Sequence, residues 1–262
     1  MKFLDKKQIE EDFRKGIQNK EFQVYLQPKF DTKTEKIVGA EALIRRKKQG
    51  TFLLPQTFVP SYEKTGVITK LDVWVFDQVC KTLNRWIQKK YKLLPISVNE
   101  SRRHLYHKKH VQELERIINY YHIPAQFIEL EMTESAVVNN IEVAKEAERK
   151  VHQIGFVVSM DDFGTGYSSF HMLRQIEIDV LKIDKKFSDQ VLEDERGKII
   201  LESIIQMAKR LHIRTVAEGI ETKEQVAYLK QIGCDWIQGY YFARPMPIPQ
   251  FEEIYLKPKK EE

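Results

Sequence analysis

Seven β-rich runs in this chain each carry polar residues at or near their ends, and that repetition restricts the fold more than any other feature. Glu41 ends IVGAE, Asn99 ends ISVN, Glu131 sits in IELEMTE, Asp161 and Asp162 end VVSMDD, Lys182 and Asp184 sit in VLKID, Glu218 ends TVAE and Gln238 ends WIQ. Helical patterns separate the later runs, over 72–90, about 102–121, 140–153, 195–211 and 222–231, and strand alternating with helix is the signature of an α/β fold. An earlier strand, EFQVYLQPKFD, alternates Phe22, Val24 and Leu26 and is joined to IVGAEALI by a turn at 31–36, so the pair reads as an antiparallel hairpin. Eight candidate strands favour a closed, irregular (β/α)8 barrel of TIM type over an open doubly wound sheet. Ile9, Phe13 and Ile17, spaced by four among charges, predict an amphipathic lead-in helix over 5–18.

A chain of 262 residues with 42% hydrophobic content suits one domain of that size, expected over 1–255 with a charged tail at 256–262. Forty-three Lys and Arg against 38 Asp and Glu give a net charge of +5, short of a protein that coats nucleic acid but compatible with an anionic small ligand. Cys80 and Cys234 lie in separate apolar stretches without C-x-x-C spacing and read as reduced core thiols. No run approaches the roughly eighteen apolar residues needed to cross a bilayer, so the expectation is a soluble, cytoplasmic protein with no membrane segment.

Carboxylates at strand ends are costly to bury and need partners. In a barrel the carboxyl ends of the strands converge on one mouth, where acids scattered from 41 to 218 would meet and repel. An all-oxygen donor set there points to magnesium or manganese rather than zinc, and adjacent Asp161 and Asp162 suit two metals engaged in water attack on a phosphodiester. Taken singly, each such residue is ordinarily a helix cap or surface group, and Asp184 reads equally as a salt-bridged one. The glycines of DDFGTGYSS lack Walker A or Rossmann spacing and read as a hinge-like loop beside the metals. His104, His107 and His110 in HLYHKKH are flanked by Arg102, Arg103, Lys108 and Lys109, and so read as a solvated basic face rather than a metal cluster. H-E-x-x-H and G-x-S-x-G motifs are both absent.

In order along the chain, AEALIRR, SVNES, ELEMTES, DDFGTGYSS, LKIDKKF, AEGIET and QGYYFARPMP resemble the motifs of EAL domains, from about residue 8 to about 252. The resemblance implies a cyclic di-GMP phosphodiesterase on an irregular barrel whose first strand runs antiparallel to the rest. It implies that Glu41, Asn99, Glu131 and Asp161 ligate one divalent cation, and that Asp161 and Asp162 hold a second. Glu218 matches the glutamate proposed as general base, and Lys182 matches a lysine that contacts the same attacking water. Glu134 matches the residue that fixes the DDFGTG loop, and Glu221 a further position near the site. Gln27, Arg45, Gln238 and Pro245 match positions around the nucleotide, hydrolysis would give linear pGpG, and calcium would inhibit.

Arg46 stands where the family commonly has tryptophan, which by the resemblance implies an altered nucleotide floor or added charge near phosphate; Tyr62, in FVPSYE, stands where a small residue is common. Neither touches a metal position, so an active enzyme is expected. Two other readings stay open: a silent cyclic di-GMP receptor or protein-interaction module, and a nuclease resting on the basic segments around 89–92 and 102–109. The chain leaves no room for a cyclase, receiver or PAS domain, which points to regulation by homodimerisation or by a separate regulatory or cyclase partner, with no nucleic acid polymer as ligand.

Overall fold

The computed structural model describes residues 5–101, 103–104, 109–133, 141–164, 169–185 and 194–257. Strands β1 (Phe22–Asp31), β2 (Ile37–Lys48), β4 (Ile96–Glu100), β5 (Ile128–Thr133), β6 (Val157–Phe163), β7 (Val180–Ile183), β8 (Arg214–Ala217) and β9 (Trp236–Ile237) form a closed eight-stranded barrel. Short strands β3 (Thr51–Leu53) and β10 (Met246–Pro247) extend it at β2 and β1. β1 runs antiparallel to both neighbours, pairing Gln27 with Glu41 on β2 and Phe30 with Ile237 on β9, whereas every junction from β2 through β4 to β9 is parallel. The hairpin read from alternation and the irregular barrel are both present.

The helices form the outer layer: α1 (Lys6–Gln18), α2 (Pro55–Thr65), α3 (Ile68–Gln88), α4 (His110–Tyr121), α5 (Ile141–Ile154), α6 (Ser169–Leu173), α7 (Glu195–Arg210), α8 (Lys223–Ile232) and α9 (Ile248–Tyr255). Capping boxes set the starts of α1 (Asp5 with Gln8) and α8 (Thr222 with Gln225). On α3, Leu71, Val75, Val79, Leu83 and Trp86 form the buried stripe that their spacing predicts. α9 lies where Phe251 stacks on Trp86, with centroids 5.9 Å apart, and Glu252 accepts from Trp86 Nε1 at 3.0 Å and Arg85 Nε at 2.9 Å. Leu256, at the start of the expected tail, is buried, and residues 258–262 lie outside the described set. Cys80 and Cys234 are buried free thiols, as read. No described helix is long and apolar enough to cross a membrane.

Three expectations are corrected. Of the helix expected over about 102–121, α4 covers His110–Tyr121, residues 103–104 form a 3-10 turn, residue 109 is a turn and residues 102 and 105–108 lie outside the described set; α2 and α9 were not anticipated. Arg46 has the opposite strand parity to Glu41 and Arg45, and its charge is taken up by acids beside α1 rather than offered to a ligand. It is buried, giving Nη2 to Asp12 Oδ1 at 3.0 Å and to Glu21 Oε2 at 2.8 Å, and Nη1 to the Tyr62 hydroxyl at 3.2 Å. The Tyr62 hydroxyl in turn donates to Asp12 Oδ2 at 3.1 Å, so the two departures from the family pattern meet in one network that pins α1 to β2. His104 and His110 form no solvated face: both are buried, at 7% exposure, with rings stacked 3.6 Å apart, while His107 lies outside the described residues.

Candidate active site

Period-two alternation sends Gln27 and Lys29 on β1, Glu129 and Glu131 on β5, and the odd-numbered polar residues of β2, β4 and β6 to one face of each strand. The hydrogen bonds show that this face is the barrel interior. Lys29 Nζ donates to Glu129 Oε1 at 3.0 Å and Glu131 Oε1 at 3.4 Å, across the barrel from β1 to β5. Above that layer, Lys182 Nζ is the hub: it lies 2.7 Å from Glu131 Oε2, 3.1 Å from Asp161 Oδ1, 2.8 Å from Glu218 Oε1 and 4.0 Å from Glu41 Oε2. Glu41 Oε1 accepts from Asn99 Nδ2 at 3.1 Å and Glu41 Oε2 from Gln238 Nε2 at 2.6 Å. Gln238 Nε2 also reaches Gln27 Oε1 at 3.2 Å, and Gln27 Nε2 donates to Ala243 O at 3.3 Å. Six strands thus supply one connected polar network, open to solvent at Asn99.

A break in regular pairing brings two consecutive acids to this end. The β6–β7 register shifts between Met160 and Phe163, and Asp162 takes a positive φ of 59°, a conformation that Asp tolerates better than most residues. Regular alternation would have sent Asp161 and Asp162 to opposite faces. Instead Asp162 feels burial and the nearby charges of Asp161 and Asp184, which raise its pKa. Gly239 follows Gln238 where a Cβ would meet Ile220 O at 2.0 Å, so only glycine lets the chain pass there.

Two ammonium groups do not balance the carboxylates. Burial, with Lys182 opposing it and the other acids reinforcing it, pushes the Glu218 carboxyl up to about 8. Burial likewise raises Glu41. Glu131 goes the other way: burial acts to raise it, but Lys182 and Lys29 together hold it below the usual carboxylate range. The Lys182 ammonium, despite burial, is held well above its ordinary value by Glu131, Glu218, Glu41 and Asp161. Glu218 Oε1 and Gln238 Oε1 are buried without a hydrogen bond, the Lys182–Glu218 contact being an ion contact rather than an aligned hydrogen bond. Excess negative charge, oxygen-only donors and orphaned acceptors fit hard divalent cations.

Arg45 projects beside the mouth, with its guanidinium 5.8 Å from the Tyr25 ring centroid and Nη1 donating to Ile44 O at 2.8 Å. Pro245, half-buried, immediately precedes β10, which pairs with β1 at Tyr25 and Leu26. Glu221 stands apart from the acid cluster, exposed and paired with Lys185 Nζ at 2.8 Å. Glu134 and residues 165–168 of the glycine loop lie outside the described residues. Sequence reasoning missed Lys29 and Glu129, although each shares strand parity with a residue that it did single out, Gln27 and Glu131.

The EAL domain model matches residues 10–245. The chain belongs to the EAL domain family. Its relatives include Signaling protein YkoW of Bacillus subtilis, 36% identical over 245 residues, which cover 93% of this chain and 30% of that protein. Cyclic di-GMP phosphodiesterase NbdA of Pseudomonas aeruginosa is 34% identical over 248 residues, 94% of this chain and 32% of that one. This EAL domain therefore spans about a third of the length of those curated relatives. Among solved structures, the PaMucR phosphodiesterase in complex with c-di-GMP superposes with a TM-score of 0.87 at 30% identity, covering 93% of this chain and 99% of that one.

Proposed function

We propose that this EAL domain hydrolyses one phosphodiester bond of cyclic di-GMP, giving linear pGpG, with two divalent cations, magnesium or manganese. The observation that carries the reading is the convergence of Glu41, Glu131, Asp161 and Glu218 on Lys182, with acceptor atoms left unsatisfied at the mouth. The names borne by relatives of this domain and the c-di-GMP complex of PaMucR support the choice of substrate.

Glu41, Asn99, Glu131, Asp161 and Asp162 would hold the cations. When bound, these supply Lewis acidity to the phosphodiester and make water a better nucleophile. Glu218 would accept the proton of the attacking water: burial and the neighbouring acids raise its carboxyl to about 8, and positive charge from cations on those acids would lower it and free the carboxylate to act as base. Lys182 positions Glu131, Asp161 and Glu218 and offsets their repulsion. Arg45 meets a phosphate or guanine edge, Gln27 and Gln238 present amide groups to the nucleotide, and Pro245 shapes the wall beside them. Asp184 and Glu221 act from outside the ligand set, and Glu134 holds the glycine loop. Homodimerisation belongs to the same reading through the resemblance; a separate cyclase or regulatory partner, a cytoplasmic location and the 1–255 extent of the domain are carried with it as expectations from the sequence.

Steady-state kinetics with cyclic di-GMP separate these roles. Arg45→Ala is expected to raise KM chiefly, whereas Glu218→Gln is expected to lower kcat by about 100-fold or more at similar KM. Unchanged kcat in Glu218→Gln would remove that residue as the base.

A further inference from the structure

Glu218 leaves β8 into a short loop that is held from both sides. Toward β7, its own N–H donates to Ile183 O at 3.0 Å. Toward β9, Ile220 N–H donates to Gln238 O at 3.2 Å and Ile220 O accepts from Tyr241 N–H at 3.0 Å. Between these anchors stands Gly219, with a positive φ of 69°. A Cβ on Gly219 would lie 2.5 Å from both Cβ and Cδ of Lys185, so the aliphatic stem of Lys185 lies directly across the backbone of the residue that follows Glu218. The stem ends in two contacts: Lys185 Nζ donates to Gly219 O at 3.3 Å and to Glu221 Oε1 at 2.8 Å. Glu221 is itself tied to α8, its N–H donating to Gln225 Oε1 at 2.7 Å, and that oxygen also accepts from Thr222 N–H at 3.0 Å.

We propose that Lys185 is a positioning residue for Glu218, a strap from the end of β7 that fixes the peptide after the base. The inference rests on the phosphodiesterase reading, in which Glu218 takes the proton of the attacking water. Glycine is the residue with the most backbone freedom, and one placed next to a catalytic carboxylate would let that carboxylate wander. The Lys185 stem fills the space over Gly219, and its ammonium ties the Gly219 carbonyl to Glu221 and so to the start of α8. The ion pair itself stands in solvent, Lys185 being 44% and Glu221 49% exposed, so it adds little to global stability and acts through geometry. Lys182 touches Glu218 directly, whereas Lys185 works one peptide away. A base must lie within hydrogen-bond reach of the proton that it abstracts, and rate falls steeply when a reacting group is displaced by about an ångström. The strap therefore governs kcat rather than KM.

The test compares the full chain as wild type, Lys185→Ala and Lys185→Arg, by cyclic di-GMP turnover with manganese and by amide hydrogen exchange without nucleotide. Lys185→Ala is expected to lower kcat about tenfold with KM and Tm unchanged, and Lys185→Arg, which keeps a stem and a donor, to recover most of the rate. In a Glu218→Gln background, Lys185→Ala is expected to cost nothing further, because the group that it positions is already gone. Wild-type kcat in Lys185→Ala, a change confined to KM, or full additivity with Glu218→Gln overturns the role. Hydrogen exchange reads the strap without any turnover. The Glu218 and Ile220 amides are expected to exchange about tenfold faster in Lys185→Ala, with the rest of the barrel unchanged, and wild-type protection at both overturns the strap. A wild type that leaves cyclic di-GMP intact while Lys185→Ala loosens those amides would instead contradict the phosphodiesterase reading.

Discussion

At the scale of single residues, buried lysines organise the mouth. Lys182 is 1% exposed and touches three carboxylates within 3.1 Å, so removing its charge strands a buried acid cluster. Lys182→Met is expected to destabilise the metal-free protein by about 3–5 kcal/mol, the usual cost of leaving a buried charge without its partner. Manganese should restore part of that loss by supplying positive charge to the same oxygens. Chemical denaturation with and without manganese checks this, and equal loss in both conditions would detach Lys182 from the cation-binding acids. Glu41, Glu131, Asp161 and Glu218 were legible in sequence because each closes or interrupts an apolar strand. Lys29 was not, because a lysine in a strand looks like a solvent-facing residue until Glu129, a hundred positions later, is known to face it. His104 and His110 were misread for a related reason: flanking basic residues suggested solvent, whereas Glu100 and Asp72 arrive from β4 and α3 to enclose them.

At the scale of elements, the docking of α1 on β2 rests on Arg46. Its guanidinium is 3% exposed, and Arg46→Ala leaves Asp12, Glu21 and the Tyr62 hydroxyl without their shared donor. A loss of about 3 kcal/mol is expected in urea denaturation, and a change within about 0.5 kcal/mol, as for an ordinary surface site, would show that α1 docks without it. The same network predicts acid sensitivity. Burial acts to raise Asp12, but hydrogen bonds from Arg46 and Lys48 outweigh it and hold the carboxyl well below its ordinary 3.8. A depressed pKa stabilises the fold fully above the ordinary value, and that contribution fades as pH falls through the lowered one. Thermal stability should therefore drop as pH falls below about 4, and Asp12→Asn should flatten that part of the profile. The strands and long amphipathic helices followed from their periodicity. α2 goes unassigned in the sequence, where Pro55 and Pro60 fall within eleven residues and interrupt a helical pattern, although Pro55 sits at the permissive first turn.

At the scale of the whole molecule, closure of the barrel gives distant residues a common site. Glu41 and Gln238 are 197 positions apart and bonded at 2.6 Å because the antiparallel β1 seals the ring between β2 and β9. The closed architecture was readable from eight alternating elements, but the side-chain network inside it depends on register, which alternation alone leaves undetermined. Divalent cations should bind the folded ring and not the open chain, so saturating manganese is expected to raise the Tm of wild type, and less so that of Asp161→Asn. The most direct test of the phosphodiesterase reading is cyclic di-GMP turnover by the purified chain with magnesium or manganese, its products resolved by chromatography beside a chelator control and Glu218→Ala. Formation of pGpG that both controls abolish is the predicted result; intact nucleotide in every metal, or turnover indifferent to chelator and to Glu218→Ala, would contradict it.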